Sequence, residues 1–264
     1  MASEPIIRAD NVSRRFAQRG GLFARPDWVR AVDGVSLSVA SGETLAIVGE
    51  SGSGKSTLGR MLLGLLAPSE GTVSFRGQPV DQLRGMGWKS FRREVQVVFQ
   101  DSGASLNPRR SVADSVAVPL RWNRGLGRAE ARQRAAWLLD QVGLPAAQFA
   151  ERWPHTLSGG QRQRVGIARA LASEPSVVIA DEPVSALDVS VRAQVLRLMR
   201  QLQDDRRLAY LFITHDLGVV RAIADRVLVM RHGAVVEEGR VEAVFANPQH
   251  DYTKTLLAAS RFKP

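Results

Sequence analysis

An apolar run, Thr44–Val48, leads straight into Gly49-Glu50-Ser51-Gly52-Ser53-Gly54-Lys55-Ser56-Thr57, and Lys55–Leu66 then has the length and apolar content of a helix. This is G-x-x-x-x-G-K-[S/T] with a strand before it and a helix after it. The glycines Gly49, Gly52 and Gly54, with Ser51 and Ser53 between them, let backbone N–H groups converge on phosphate oxygens. The helix start adds a favourable dipole. In that setting Lys55 neutralises β- and γ-phosphates, Ser56 offers its hydroxyl to Mg²⁺, and Thr57 reaches toward the α-phosphate. A chain built around such a loop is expected to be an α/β protein with a P-loop NTPase core.

The rest of the chain fits that frame. Short strands are expected at Ile6–Val12, Val35–Val39, Thr72–Arg76 and Val95–Phe99, and later at Val177–Ala180, Ala209–Ile213, Arg226–Met230 and Ala234–Glu238. Helical character is expected over Arg109–Gln141, where Ala131, Ala135, Leu138, Leu139 and Val142 recur at one-face spacing. Gly159–Ala172 and the stretch carrying Val191, Val195, Leu198 and Leu202 read as further helices, and Val241–Phe245 as a short one. Strands alternating with helices argue for a mostly parallel sheet covered by helices. The early strands form an N-terminal antiparallel β subdomain, and the helix-rich region near 101–165 is an inserted helical subdomain. The expected domain spans 5–245, with 246–264 as an accessory tail outside the core. The stretch Ala17–Arg30, with Gly20-Gly21 and Pro26, reads as a surface loop.

Composition narrows the class. With 264 residues and 44% hydrophobic content, the chain can bury a sizeable core. No apolar run approaches the ~18–20 residues of a spanning helix, and Met1–Pro5 lacks the layout of a secretion signal. There is no cysteine, which excludes disulfides and thiolate metal sites and fits a cytosolic home. The net charge of +10 favours polyanions or anionic membrane surfaces. The arginines are nonetheless dispersed, and the 6% aromatic residues do not interleave with them as a base-stacking surface requires. Nucleic acid is therefore not an expected partner.

Three strand ends carry candidate chemistry. Asp181 and Glu182 follow the apolar run Val177–Ala180. One carboxylate there can hold Mg²⁺ through water, and its neighbour can polarise an attacking water. His215 follows Tyr210–Thr214 and is assigned a γ-phosphate contact; His155, His232 and His250 are scattered and receive no role. Gln100, after Val95–Phe99, can touch Mg²⁺ or water with its amide while the loop around it moves. A second glycine-rich turn, Leu157-Ser158-Gly159-Gly160-Gln161, opens a helix just upstream of the acidic strand end.

With these segments in this order, and with Ser185-Ala186-Leu187-Asp188 after the acids, residues 5–245 closely resemble the ATP-binding subunits of ABC transporters. The resemblance implies two such domains packed head to tail around two ATP molecules. Lys55, Ser56, Gln100, Asp181, Glu182 and His215 then act on one ATP, while Ser158, Gly160 and Gln161 act on the partner's. It also implies an aromatic stacked on adenine, best matched by Phe16, with Trp28 as the other possibility. Ala31–Ser36, Gly49–Gly52, Gln100-Asp101 with Ser105–Arg109, and Asn247–Thr253 resemble the bacterial peptide/nickel-type importer ATPases. Asp251 stands where that group usually has Pro, and a chain without cysteine cannot bind the iron–sulfur cluster of some members.

The implied partners are a second ATPase subunit, identical or homologous, two transmembrane permease subunits and a periplasmic or extracellular solute-binding protein. The implied location is the cytoplasmic side of the inner membrane, peripherally attached, and the implied cofactors are ATP and Mg²⁺. The alternative is a cytosolic ABC-type ATPase acting on nucleic acid, which the basic charge motivates. Such proteins usually carry paired ATPase domains, long coiled coils or zinc-binding cysteines, and none is seen here. A nucleotide-dependent regulatory module without turnover is the third reading.

Overall fold

The computed structural model describes residues 4–18, 27–100 and 105–261. In chain order its elements begin with β1 (Ile7–Gln18), β2 (Asp27–Val39), β3 (Thr44–Val48), α1 (Lys55–Leu62), β4 (Glu70–Phe75) and β5 (Gln78–Pro79). Next come α2 (Gly85–Glu94), β6 (Val95–Val98), α3 (Val112–Arg124), α4 (Arg128–Gln141), α5 (Ala146–Phe149), α6 (Gly159–Leu171), β7 (Val177–Asp181) and α7 (Val189–Arg206). The chain closes with β8 (Ala209–Ile213), α8 (Leu217–Ile223), β9 (Arg226–Arg231), β10 (Ala234–Arg240), α9 (Val241–Ala246) and α10 (Asp251–Arg261). They fall into two compact units, one made of the chain up to Leu83 with Tyr210 onward, the other of Arg84–Ala209.

The first unit holds an antiparallel sheet of order β2-β1-β4-β5. It also holds a sheet in which β3 lies parallel to both β8 and β9, with β10 antiparallel to β9. Every residue of β3 and of β8 is buried. A strand covered on both faces reads as an unbroken apolar run, which is why sequence placed both strands within their observed bounds. Helix α1 buries Leu58, Met61 and Leu62 on one face. It stops at Leu62 rather than at the expected Leu66, because Gly64 turns left-handed at φ 64°. Leu65 and Gly64 then donate to the carbonyls of Arg60 and Met61, closing the helix with a glycine-based cap.

The expected surface loop Ala17–Arg30 is corrected at both ends. Strand β1 runs to Gln18 and β2 starts at Asp27, so Phe16 pairs with Val29 and Ala17 with Trp28 in a long antiparallel ribbon. The middle of that loop lies outside the described residues, as does Asp101. The tail also departs from expectation. Helix α10 packs into the first unit, with Tyr252, Thr253 and Leu257 buried.

In the second unit β6 and β7 pair in parallel, and α2 through α7 surround them in sequence. The helical stretch expected over Arg109–Gln141 divides into α3 and α4, because Gly125 ends α3 in the left-handed region at φ 70°. The predicted face of α4 is buried as Ala131, Ala135, Leu138 and Leu139. Among the described residues no helix is long and apolar enough to cross a membrane.

Candidate functional site

The phosphate loop joins the buried strand β3 to α1 and is held from several directions. Gly49 and Gly54 adopt φ 150° and 101°. A Cβ on Gly54 would stand 2.1 Å from the carbonyl oxygen of Ala31, and one on Gly49 would stand 2.2 Å from that of Met230. At Gly49 and Gly54 the loop backbone therefore passes too close to its neighbours for any side chain. Ser53 accepts from the Gly233 N–H at 3.1 Å, and the Glu50 N–H donates to the Tyr252 hydroxyl at 2.9 Å. The Lys55 side chain is buried, and its ammonium donates to the carbonyls of Gly49 and Glu50 at 2.7 Å each. A cation is thus already seated inside the loop, while Gly52 has open space around its Cα.

Helix α1 has no side-chain cap and no acid in its first turn, which suits its N-terminus to an anion. Ser56 and Thr57 occupy that first turn, with Ser56 exposed. At the end of β8, Thr214 continues the ladder by donating to Ile47. Asp216 then caps α8 through the N–H groups of Gly218 and Val219, which leaves His215 exposed at the strand–helix junction.

The second unit carries the other candidates. Asp181 ends β7, and Glu182 follows in the left-handed region at φ 50°. A non-glycine residue there is strained by on the order of 1–3 kcal/mol, a cost that clusters at functional sites. The turn is tied by Ser185, whose N–H and hydroxyl both donate to the Glu182 carbonyl. At the start of α6, Ser158 and Gln161 form a reciprocal capping box. The Ser158 N–H donates to Gln161 Oε1 at 3.0 Å, and the Gln161 N–H donates to Ser158 Oγ at 3.3 Å. Leu157 is buried as the anchor of this turn, while Ser158 and Gly159 are exposed.

Helix α6 also reaches both ends of the loop that Gln100 opens. Gln163, itself buried, points its amide at the Phe99 carbonyl at 3.5 Å. The Arg169 guanidinium donates to the Ser105 carbonyl and hydroxyl at 2.6 and 2.8 Å. Burial holds the Arg169 pKa below its ordinary value. Gln100 is exposed just past β6. Of the two adenine-stacking candidates, Phe16 is partly covered by the Arg14 guanidinium, 5.0 Å from its ring centroid. Trp28 is 58% exposed against 40% for Phe16.

Each unit offers one hard oxygen donor of the kind Mg²⁺ takes, the Ser56 hydroxyl in the first and the Asp181 carboxylate in the second. Among the described residues no three His, Cys, Asp or Glu side chains gather into a cage. Mg²⁺ needs few protein ligands, because it keeps water and substrate phosphates for the rest.

Comparison with known proteins agrees with this geometry. The family model described as ABC transporter matches residues 32–185. Over 97% of its length the chain is 48% identical to the dipeptide transport ATP-binding protein DppF of Haemophilus influenzae, covering 78% of that protein. It is 52% identical to the glutathione import ATP-binding protein GsiA of Escherichia coli, again over 97% of its length, but it spans only 41% of that relative. Among solved structures, cbiO1 from Clostridium perfringens, part of the ABC transporter complex cbiONQ, superposes with a TM-score of 0.78 at 31% identity, covering 93% of this chain and 92% of that one. The ATP-binding cassette MJ0796, in a dimeric post-hydrolysis state with ADP and phosphate, gives a TM-score of 0.76 at 32% identity, covering 89% and 98% respectively. The fold and the phosphate loop define a nucleotide-hydrolysing cassette. The chain belongs to the ABC transporter family, as an ATP-binding subunit with ATPase activity. The nucleic-acid alternative finds no support in these relatives.

Sequence reasoning missed Tyr252, Gln163 and Arg169. Tyr252 lies 202 residues from its partner Glu50. No spacing rule connects positions so far apart. Gln163 and Arg169 sit inside an amphipathic helix whose pattern reports burial, not the identity of what is touched.

Proposed function

We propose that the chain is the ATP-hydrolysing subunit of a bacterial ABC importer for peptides or similar small solutes. It works on the cytoplasmic face of the inner membrane with a second cassette, two permease subunits and a solute-binding protein. The observation that carries the ATPase part is the phosphate loop, with Lys55 seated on the Gly49 and Glu50 carbonyls inside a cradle that tolerates no side chain at Gly54. The importer part rests on the names of the relatives DppF and GsiA. The domain is read as 5–245 with a helical subdomain near 101–165, and 246–264 as its C-terminal segment.

In this reading a water oxygen attacks the γ-phosphorus, the bond to the bridging oxygen of ADP breaks, and phosphate leaves. Lys55 and the N–H groups of Gly52, Ser53 and Gly54 hold the phosphates, with Ser51 in the same loop and Thr57 behind it. Ser56, Asp181 and Gln100 are the residues that would hold Mg²⁺, which would supply charge neutralisation on the phosphate oxygens. Glu182 orients and polarises the water, and His215 contacts the γ-phosphate. Phe16 stacks on adenine. Ser158, Gly159, Gly160 and Gln161 serve the ATP held by the partner cassette. Dimer closure on ATP and opening after hydrolysis then drive the permease.

The discriminating experiment measures phosphate release by the purified chain with its co-purified permease and, separately, with DNA or RNA. Stimulation by the permease, with uptake of a labelled dipeptide, is the expected result. Stimulation by nucleic acid alone would overturn the reading.

A further inference from the structure

The peptide group between Gly49 and Glu50 is gripped at both ends. Its carbonyl, on Gly49, accepts from the Lys55 ammonium at 2.7 Å. Its N–H, on Glu50, donates to the Tyr252 hydroxyl at 2.9 Å. In a trans peptide these two groups point in opposite directions, and the described chain holds no cis bond. Lys55 and Tyr252 therefore fix the plane of one peptide from its two sides. The adjoining residue is Gly49 at φ 150°, which has no side chain to resist a rotation of that plane.

Tyr252 is firmly placed for this task. It is 6% exposed, with the Arg231 guanidinium 4.9 Å from its ring centroid. The turn before it is bound to β10, where Glu237 accepts from the N–H groups of Gln249 and His250 at 2.8 and 3.0 Å. The Tyr252 N–H in turn donates to His250 Nδ1 at 3.1 Å. The chain beyond α9 is thus a strap whose one aromatic hydroxyl lands on the phosphate loop.

We propose that Tyr252 is a positioning residue for the phosphate loop, keeping the Gly49–Glu50 peptide oriented when the Lys55 ammonium turns from that carbonyl to a phosphate. The inference rests on the reading of Gly49–Thr57 as the ATP-binding loop. Lys55 can serve phosphate only by loosening its hold on the loop, and at that moment the Tyr252 bond is what opposes a flip of the peptide. The C-terminal segment so becomes part of the nucleotide site's framework without touching nucleotide.

Tyr252→Phe removes the hydroxyl and keeps the ring. In the full chain assembled with its partners it is expected to raise the KM for ATP about five- to tenfold, the worth of one buried hydrogen bond, with kcat within about twofold of the parent. Amide exchange at Glu50 should accelerate while the β3 amides stay protected. Lys254→Ala, on the same helix with its ammonium paired to exposed Asp251, should change neither parameter. An unchanged KM in Tyr252→Phe overturns the inference, and so does a fall in thermal stability alone, which marks Tyr252 as packing only. Lys55→Ala keeps the two ideas apart. If it abolishes ATP binding while Tyr252→Phe is silent, the positioning role fails and the loop reading stands. If Lys55→Ala binds ATP normally, the loop reading itself fails.

Discussion

The phosphate loop and the turn at Leu157–Gln161 both bring glycine-rich backbone to the start of a helix, yet one is held from outside and the other from within. The loop is braced by Gly233, Tyr252 and the nearby carbonyls of Ala31 and Met230, and its lysine is buried. The turn is braced by its own capping box, with Leu157 buried beneath and Ser158 and Gly159 on the surface. A site that grips its own ligand gains from a fixed cradle, because donors aimed in advance need no reorganisation. A site that completes a ligand carried by another molecule must leave its donors on the surface. The difference in bracing is what the proposed division of the ATP site between two cassettes requires.

The largest expected effect is at Glu182. Glu182→Gln keeps the shape of the strained turn but loses the proposed base, so turnover in the assembled transporter should fall at least about 10²-fold. ATP binding should stay within a few-fold. A nucleotide-binding assay beside a phosphate-release assay separates these outcomes, and full turnover would remove Glu182 from its assigned role.

Glycine substitutions set the two turns against each other directly. Gly54→Ala places a methyl group against the Ala31 backbone at φ 101° and should destabilise the chain by about 3 kcal/mol. Gly160→Ala meets instead the Cγ1 of Val191 at 2.4 Å. Val191 is a β-branched residue inside α7 with little rotamer freedom, so it must shift as a body, and the loss should be about 1–2 kcal/mol, smaller than against the fixed backbone at Gly54. Denaturant midpoints check both. Equal losses would mean that the turn is as rigidly enclosed as the loop.

A smaller effect concerns the strap. Burial pushes the Glu237 carboxyl up, but the N–H groups of Gln249 and His250 outweigh it and hold the pKa below its ordinary value. A depressed carboxylate contributes stability above its unfolded pKa, roughly 4.3, and that contribution is lost as pH falls through the folded value. Protection of the α10 amides, corrected for intrinsic exchange at each pH, should therefore fall below about pH 4.3 in the parent. It should be less pH-dependent in Glu237→Gln, and parallel pH profiles would contradict the assignment.

Much of this was legible in the sequence, for identifiable reasons. Strands β3 and β8 are buried on both faces, so each appears as a short apolar run between polar residues. The phosphate loop is legible because its chemistry is local, packed into nine consecutive residues. Helix α2 escaped because Gly85-Met86-Gly87-Trp88 offers neither a cap nor a clean apolar face, and only Phe91 in it is buried. Only the outer part of the β1–β2 ribbon, within Ala17–Arg30, reads as a loop from sequence, because Phe16, Trp28 and Val29 remain exposed and leave no alternation to follow. The α10 strap was read as peripheral because its anchor points, Glu237 and Glu50, are distant in sequence.

The proposed division of the ATP site between two molecules is tested most directly by Ser158→Ala. Loss of the cap should cost about 1 kcal/mol of stability. The measurement is ATP affinity of the isolated chain set against ATP turnover of the assembled transporter. The expected result is an affinity within about twofold of the parent and a turnover at least about tenfold lower, the lost stabilisation falling on the partner's γ-phosphate. Weakened binding in the isolated chain, or undiminished turnover in the assembly, would contradict it.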